Sequence, residues 1–581
     1  MIERLFILLS EDEIKFIPKG VVNVYTFSPI ILKKLKSSSL NIFYPDAFKT
    51  AVSSEKRLKK IQKLDEEIIK SINSTKIFED INDFEELLSP FLRIRLSAFL
   101  YLNECLPKSK SYYLVNNGKW DLFSSKIDLI IGIEKKISDL KPFYKVFFDI
   151  KDLYKDYCEN NLNSFLNKIL LNIQSFLLPK LLIFSKKVFL LSGRKEYFIP
   201  KLYKSLKLKK KFTISINHNN KIKSKIKSLI FLFIHLLTFK KYLYASIFLA
   251  PINFKNYELV YKAIFNEFPH HLDIDKKYQK RLINHIVKYL ILSDGFQNYI
   301  KKVFASSAKN IVTVMHSTRY PALYSIASIM AKCNSKVFLL THGTHTVHES
   351  NSIEYIANIE LALGLIYSNI KNIKCCSPSL FSDEYLTSKK FKFYKIKPLN
   401  ITNNKKLIKR KSKIKILHAS TIKPLCFRTY YYESSFEYIN GLKLIASKLA
   451  EFSTELEIVI RPRLMPNELS KEYLENDLAP YSHILKLSKE NEFLDDLQNS
   501  DCLISLSSTT LEQAFNMKIP CLSYGFTNYN HFDLYKELSI TEDINNFRIL
   551  QKIEKKLQRK FIYSSNPIDN RLNFINLLLE A

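Results

Sequence analysis

Short apolar runs rich in β-branched residues alternate with segments of helical periodicity, and this pattern constrains the 581-residue chain more than any other feature. It is clearest after residue 413. There, strands are expected at Ile414–Leu417, Leu456–Ile460, Ile484–Leu487, Leu503–Leu506 and Ile519–Ser523. Helices are expected at Ser434–Phe452, Asn467–Glu475 and Glu492–Gln498, with another after Thr509. A parallel strand pair needs a crossover connection, so strands that alternate with helices imply parallel sheets covered by helices. Earlier runs at Leu5–Leu9, Val22–Phe27, Leu40–Tyr44, Val188–Leu191, Ile311–Met315, Val337–Leu340 and Leu361–Tyr367 continue the pattern, with helical stretches such as Glu55–Ile72 and Ile283–Phe304.

The chain is too long for one core. The expected fold class is α/β, with two Rossmann-like domains. Residues 1–395 are read as the first, carrying an insertion at about 135–300 that is mostly helical apart from one or two strands and decorates its sheet. Residues 396–413, basic and polar with Pro398, read as a linker, and 414–581 as the second domain. Doubly wound domains bind ligands outside the carboxyl ends of their strands, so residues at those ends are the candidates for chemistry.

The strongest of these is Asp501-Cys-Leu-Ile-Ser-Leu-Ser-Ser-Thr-Thr-Leu-Glu-Gln-Ala514, an apolar strand running through Ser507, Ser508, Thr509 and Thr510 into a helix. Unpaired N–H groups and hydroxyls at a helix start suit a phosphate. A capping box of Thr509 and Glu512 would explain two of these residues without a ligand. The strand Ile458–Ile460 ends in Arg461-Pro462-Arg463, and guanidinium groups suit bidentate phosphate contacts. Leu417-His418-Ala419-Ser420-Thr421 ends the first strand of the same domain, where His418 could donate to a phosphate or cap a loop.

In the first domain, Val337–Leu340 runs into Thr341-His342-Gly343-Thr344-His345-Thr346-Val347-His348. Gly343 is one of only nine glycines and points to a tight turn directly after a strand. His342 and His345 are the candidate general acid or base residues. The three-residue spacing to His348 could also suggest a metal, but the segment is not His-Glu-x-x-His and lacks a carboxylate or cysteine set, so no metal is expected. Ser192-Gly193-Arg194, His316 through Arg319, and Tyr44-Pro45-Asp46 also stand at strand ends and are read as acceptor-side residues, with Gly343, Arg319 and Asp46 foremost.

The formal charge of +33 favours anionic partners, although the lysines are spread along the whole chain. The eight cysteines include no Cys-x-x-Cys pair, which argues against a zinc ribbon or disulfide framework and for a reducing compartment. The first apolar run is too short for a signal peptide, and no stretch reaches the length of a spanning helix. Ser228–Phe239 comes nearest, between Lys221, Lys223, Lys225 and Lys227 on one side and Lys240 and Lys241 on the other. It is either a basic helix lying on an anionic bilayer or an ordinary buried helix. No phosphate-binding P-loop, dinucleotide fingerprint or Gly-x-Ser-x-Gly elbow is present.

Together, the strand with its His-Gly turn, the linker, the basic-Pro loop and the Ser-Ser-rich helix start resemble bacterial surface-glycan transferases of the GT-B architecture. The resemblance covers about residues 310–530. It is to capsule and lipopolysaccharide transferases using activated Kdo or sialic acids, to polysialyltransferases, and to teichoic-acid glycerophosphotransferases. It implies a donor site at His418, Ser420, Thr421, Arg461, Arg463, Ser507, Ser508, Thr509 and Glu512, and an acceptor-facing turn at His342 and Gly343. Arg463 stands where those groups often have histidine. The function implied is metal-independent transfer of a sugar, with a CMP-sugar favoured, to a lipid-linked or lipid A-linked glycan. No cofactor is expected beyond the nucleotide-sugar substrate. The expected site is the cytoplasm, with the inner membrane face as a docking surface. A polyol-phosphate transferase and a nucleotide-sugar 2-epimerase are alternatives within the fold, and a basic nucleic-acid- or membrane-binding protein is the alternative outside it. Aromatic residues are not interleaved with arginine in any strand, so nucleic acid is not the expected partner.

Overall fold

A computed structural model describes residues 2–114, 165–340, 367–397, 414–421, 435–452, 456–525, 538–539 and 571–580, with short gaps that include 9–10, 79–83, 193–198, 217–221, 238–243, 319–320, 464–468 and 506–508. Among the described residues there are three sheets, and every strand pair in them is parallel.

The first sheet is made of β1 (Ile2–Leu8), β2 (Asn23–Thr26), β3 (Asn41–Phe43) and β4 (Ser109–Leu114), in the order β3-β2-β1-β4. Between them lie α1 (Pro29–Leu35), α2 (Ala47–Asn73) and α3 (Phe84–Cys105). β1 buries Leu5, Phe6, Ile7 and Leu8 in succession, the continuous apolar run of a strand covered on both faces. α2 and α3 are joined by two ion pairs, Arg93 with Asp65, which is buried, and Arg57 with Glu104, which is partly buried.

The second sheet has seven strands: β5 (Val188–Ser192), β6 (Phe212–Ile216), β7 (Tyr244–Ile247), β8 (Ile311–Met315), β9 (Lys336–Leu340), β10 (Ile373–Ser377) and β11 (Phe393–Lys395). Its helices are α4 (Phe165–Ile183), α5 (Ile199–Leu208), α6 (Ile222–Leu237), α7 (Tyr257–Glu267), α8 (Lys276–Phe304) and α9 (Pro321–Lys332). The strand order is β11-β10-β9-β8-β5-β6-β7. The third sheet has β12 (Ile414–Thr421), β13 (Leu456–Arg463), β14 (Leu485–Leu487), β15 (Cys502–Ser505), β16 (Cys521–Gly525) and β17 (Leu538–Ser539), in the order β14-β13-β12-β15-β16-β17. Its helices are α10 (Ser435–Phe452), α11 (Lys471–Asp477), α12 (Phe493–Gln498) and α13 (Thr509–Asn516), and α14 (Phe574–Glu580) closes the chain.

Counted within each sheet, the two larger ones share one order: third, second, first, fourth, fifth, sixth. That is the doubly wound Rossmann arrangement, in which the chain reverses direction across the sheet between its first and fourth strands. The α/β, Rossmann-like reading of the sequence is therefore what the chain forms.

The division into domains differs from the expected one in three respects. Residues 1–395 hold two sheets rather than one. The stretch at 135–300 is no decoration, because β5, β6 and β7 lie within it and form one wing of the seven-stranded sheet. The third difference concerns the linker and the C-terminus. Ile396 is buried in the second sheet's core and bridges to Leu572, so the expected linker begins two residues early and the chain's end returns to this sheet. There α14 inserts Phe574 and Leu578 among Phe189, Val314 and Phe338, and the Lys187 ammonium donates to the Leu579 carbonyl. The remaining linker residues, 398–413, and most of the expected strand Leu361–Tyr367 lie outside the described residues.

α2 and α3 share a continuous apolar core with the second sheet, through Ile61, Ile68, Leu88 and Leu92. α1 reaches the third, where Ile30 packs with Ile458 and Tyr438. Tyr44 stacks on Phe436 of α10 at 5.3 Å between ring centroids. The small N-terminal sheet with its helices thus touches both larger units.

Candidate functional site

In a doubly wound sheet the helices on either side of the reversal leave a crevice outside the strand ends, and ligands bind there. In the third sheet the reversal lies between β12 and β15. Residue His418 is level with Ile460 on one side and Ile504 on the other, and the last residues of β12 pair Ala419 with Arg461, Ser420 with Pro462 and Thr421 with Arg463. β15 ends at Ser505, and α13 opens at Thr509. The structure therefore gathers His418, Ser420, Thr421, Arg461, Arg463, Thr509 and Glu512 at one sheet edge. Ser507 and Ser508 join β15 to α13 but lie outside the described residues, as do the side chains of Ser420, Thr421, Arg463 and Thr509.

Thr510 donates from Oγ1 to Ser505 Oγ at 3.1 Å, which ties the strand end to the helix start. Glu512 is buried. α13 already includes Thr509, so the Thr509-x-x-Glu512 spacing lies inside the helix rather than across its cap.

His418 alternates with Leu417 and Ala419 along β12, so its ring turns to the face covered by α10. It lies 5.8 Å from the Tyr438 ring, and its Nδ1 is buried without a hydrogen-bond partner. Burial pushes its pKa from 6.5 down to about 4, so the imidazole is neutral at physiological pH. In the unfolded chain it takes up a proton below 6.5. Between about 6.5 and about 4 the unfolded state therefore binds more protons, and stability falls as the pH falls through that window. The full effect is about 3 kcal/mol. Urea unfolding of the native chain and of His418→Gln, at neutral pH and in the acid half of the window, should show a shallower acid loss in the variant. Parallel losses would mean His418 is not buried as a neutral ring.

Arg461 carries a task that its sequence position does not reveal. Its Nη1 donates to Asp496 Oδ2 at 2.5 Å, to the Glu490 carbonyl at 3.0 Å and to Ser488 Oγ at 3.2 Å. Ser488 also donates to Asp496, which sits buried on α12. The guanidinium thus locks the end of β13 to the turn between β14 and α12.

The second sheet repeats the arrangement. Its reversal lies between β5 and β8, with Ser192 level with Met315. Directly beyond, His316 is buried with Nδ1 at 3.3 Å from the Ser192 carbonyl. Ser317 and Thr318 are buried beside it. Thr318 Oγ1 and Ser368 Oγ each donate to Glu86 Oε1 at 2.5 Å, and the Asn369 N–H donates to Glu86 Oε2 at 2.8 Å. Glu86 belongs to the first turn of α3, so a carboxylate from the N-terminal helices orders two segments at this edge. The sequence reading passed over it; the available signal was an acidic residue set among Phe84, Leu87 and Leu88.

β9 is the neighbour of β8, and His342 follows its last residue by two positions. His342, Gly343 and His345 themselves lie outside the described residues, as does Arg319. Asp46 is exposed and follows β3, so it belongs to the edge of the first sheet rather than to the strand ends that carry His316. Among the described residues no group of three or more His, Cys, Asp or Glu side chains is placed to hold a metal ion.

No family model matches the chain, and neither does any curated protein. Solved structures that resemble it include an α,α-trehalose-phosphate synthase (UDP-forming) from Burkholderia vietnamiensis, at 8% identity and a TM-score of 0.34 over 68% of this chain and 100% of that one. The glycosyltransferase SnogD from Streptomyces nogalater is similar at 10% identity and a TM-score of 0.32, over 68% and 98%. The wall teichoic acid polymerase TagF is similar at 12% identity and a TM-score of 0.31, over 74% and 98%. Likenesses this distant carry no argument, and the strand orders of the two large sheets remain the ground for describing the fold.

Proposed function

We propose that the chain is a metal-independent glycosyltransferase of GT-B type, moving a sugar from a nucleotide donor to a growing cell-surface glycan. The observation that carries this reading is the pairing of the two sheet edges. Two Rossmann-ordered sheets stand in one chain, and each places a buried histidine at its reversal point, His316 in one and His418 in the other. A donor nucleotide fits the third sheet, where the strand ends bring hydroxyl and arginine residues together at a helix start. The roles proposed there are contact with the nucleotide phosphates by Ser420, Thr421, Arg463, Ser507, Ser508 and Thr509. His342 and His345, following β9, are proposed to act on the acceptor side, where Glu86 holds the neighbouring segments in place.

Without a metal, the departing phosphate would be stabilised by protein cations and by the N-terminus of α13. A CMP-sugar donor and a lipid-linked or lipid A-linked acceptor are the finer proposals, drawn from the motif resemblance.

A thermal-shift panel of CMP, CDP, UDP, GDP and ADP, with and without magnesium, tests the reading. A ligand that binds only the folded state stabilises it by about 2.7 kcal/mol at a hundredfold excess over Kd. One nucleotide is expected to raise the midpoint equally with and without magnesium. No shift with any of them would overturn the donor site, and a shift that needs magnesium would overturn metal independence.

A further inference from the structure

α4 and α6 pack side by side on one face of the second sheet. Their inner faces, through Leu170, Leu178, Leu181, Leu229 and Leu232, join the core that covers β5 and β6. Because both helices bury one face against the same sheet, their opposite faces point away from it together. On those outer faces large apolar side chains lie open to solvent: Ile169, Ile173 and Phe176 on α4, and Ile226, Ile230 and Phe233 on α6. Each set is spaced i, i+4, i+7, which makes a continuous stripe along its helix. Phe176 is 61% exposed and Phe233 52%, so neither stripe is covered by another part of the chain among the described residues.

The charge around the stripes is of one sign. Neither helix contains an aspartate or glutamate, and between Asn160 and Tyr257 the only acidic residue is Glu196. Lys223, Lys225 and Lys227 lie in the first turns of α6, and the Lys180 ammonium sits 3.7 Å from the centroid of the Phe176 ring. No helix among the described residues is long and apolar enough to cross a membrane.

We propose that the paired outer faces of α4 and α6 form a docking surface for an anionic lipid bilayer, the apolar stripes entering the headgroup region and the exposed Lys180 and Lys227 beside them meeting the lipid phosphates. A second copy of this chain is a poor fit for the same face, since it would set lysines against lysines. Apolar area and uniform positive charge are together what interfacial helices use, and each accounts for part of the binding. The surface is independent of the nucleotide site: lipid binding can fail while the nucleotide panel succeeds, and the reverse.

Co-sedimentation of the full chain with vesicles tests the proposal. The chain is expected to pellet with phosphatidylglycerol–phosphatidylcholine vesicles and to stay in solution with phosphatidylcholine alone. Raising the salt from 0.1 M to 1 M shortens the screening length from about 10 Å to about 3 Å and should release most of it. Phe176→Glu combined with Phe233→Glu should lower partitioning more than tenfold. So should Lys223→Gln, Lys225→Gln and Lys227→Gln together, which leave the apolar stripes intact. Phe176 and Phe233 are exposed positions, and an unchanged melting midpoint checks that both variants fold. Three results would each overturn the proposal: no pelleting with anionic vesicles, equal pelleting with neutral ones, or unchanged binding in folded variants. A native dimer in sedimentation velocity that the Phe variant dissolves would also overturn it, by assigning the face to self-association.

Discussion

Arg461→Ala is expected to cost about 3–5 kcal/mol of folding stability, because it leaves the Asp496 carboxylate buried without its cation. The side chain of Asp496 is 2% exposed, and its described partners are Arg461 and Ser488. With the guanidinium gone, one hydroxyl remains to offset the loss of hydration. A urea titration reads the effect directly. The double variant Arg461→Leu/Asp496→Leu should recover much of the loss, since removing both charges also removes the desolvation penalty. A single variant within about 1 kcal/mol of the native chain, the size of an exposed pair, would show that the ion pair is not the anchor of this edge.

The same variant bears on the donor site. Loss of nucleotide affinity in Arg461→Ala could follow from either task, contact with phosphate or support of the strand end. Arg461→Lys separates them, because it keeps a charge near Asp496 but removes the fork that reaches Ser488, Glu490 and Asp496 together. A stable lysine variant with undiminished nucleotide affinity would assign Arg461 to support alone and leave Arg463 as the arginine at the phosphate.

Arg571→Met is expected to act on the second sheet, again by about 3–5 kcal/mol. Arg571 pairs with Asp383 at 2.5 Å and donates to the carbonyls of Ile396 and Ser377, all of it buried. Burial raises the Asp383 pKa, while Ser377 and Arg571 pull it back. Without the arginine the Asp383 carboxyl loses its buried guanidinium partner, and the carbonyls of Ser377 and Ile396 lose a donor. α14 follows directly, so its release should expose Phe574 and Leu578 and open the chain end to proteolysis. A limited digest that trims the variant at its C-terminus well before the native chain would bear this out. Equal digestion and an unchanged melting midpoint would mean that α14 holds by its apolar contacts alone.

Much of the third sheet can be read from local pattern. Ile414–Leu417, Leu456–Ile460 and Leu503–Ser505 are largely apolar runs, each broken by one polar residue, and all three lie on central strands. A strand covered on both faces must be mostly apolar, so its signal survives without knowledge of its neighbours. The strands that escaped notice have different surroundings. β6 is only Phe212–Ile216 and follows Lys209-Lys210-Lys211, so its five residues are hidden among lysines. β11 is three residues at a sheet edge, and its strand character depends on β10 being beside it.

The candidate residues divide the same way. That His418 and Arg461 stand near the carboxyl ends of their strands followed from sequence, since a strand's carboxyl end is a local property. Glu86 did not follow, because its partners Thr318 and Ser368 lie more than two hundred positions away. The sequence by itself determined the α/β class, the placement of the central strands and the charge of the chain. The tertiary structure decided the strand order, the neutrality of His418, the pairing of Arg461 with Asp496 and the return of α14 to the second sheet. Periodicity and apolar runs act over a few residues, whereas burial and ion pairing depend on which distant segments share one small volume.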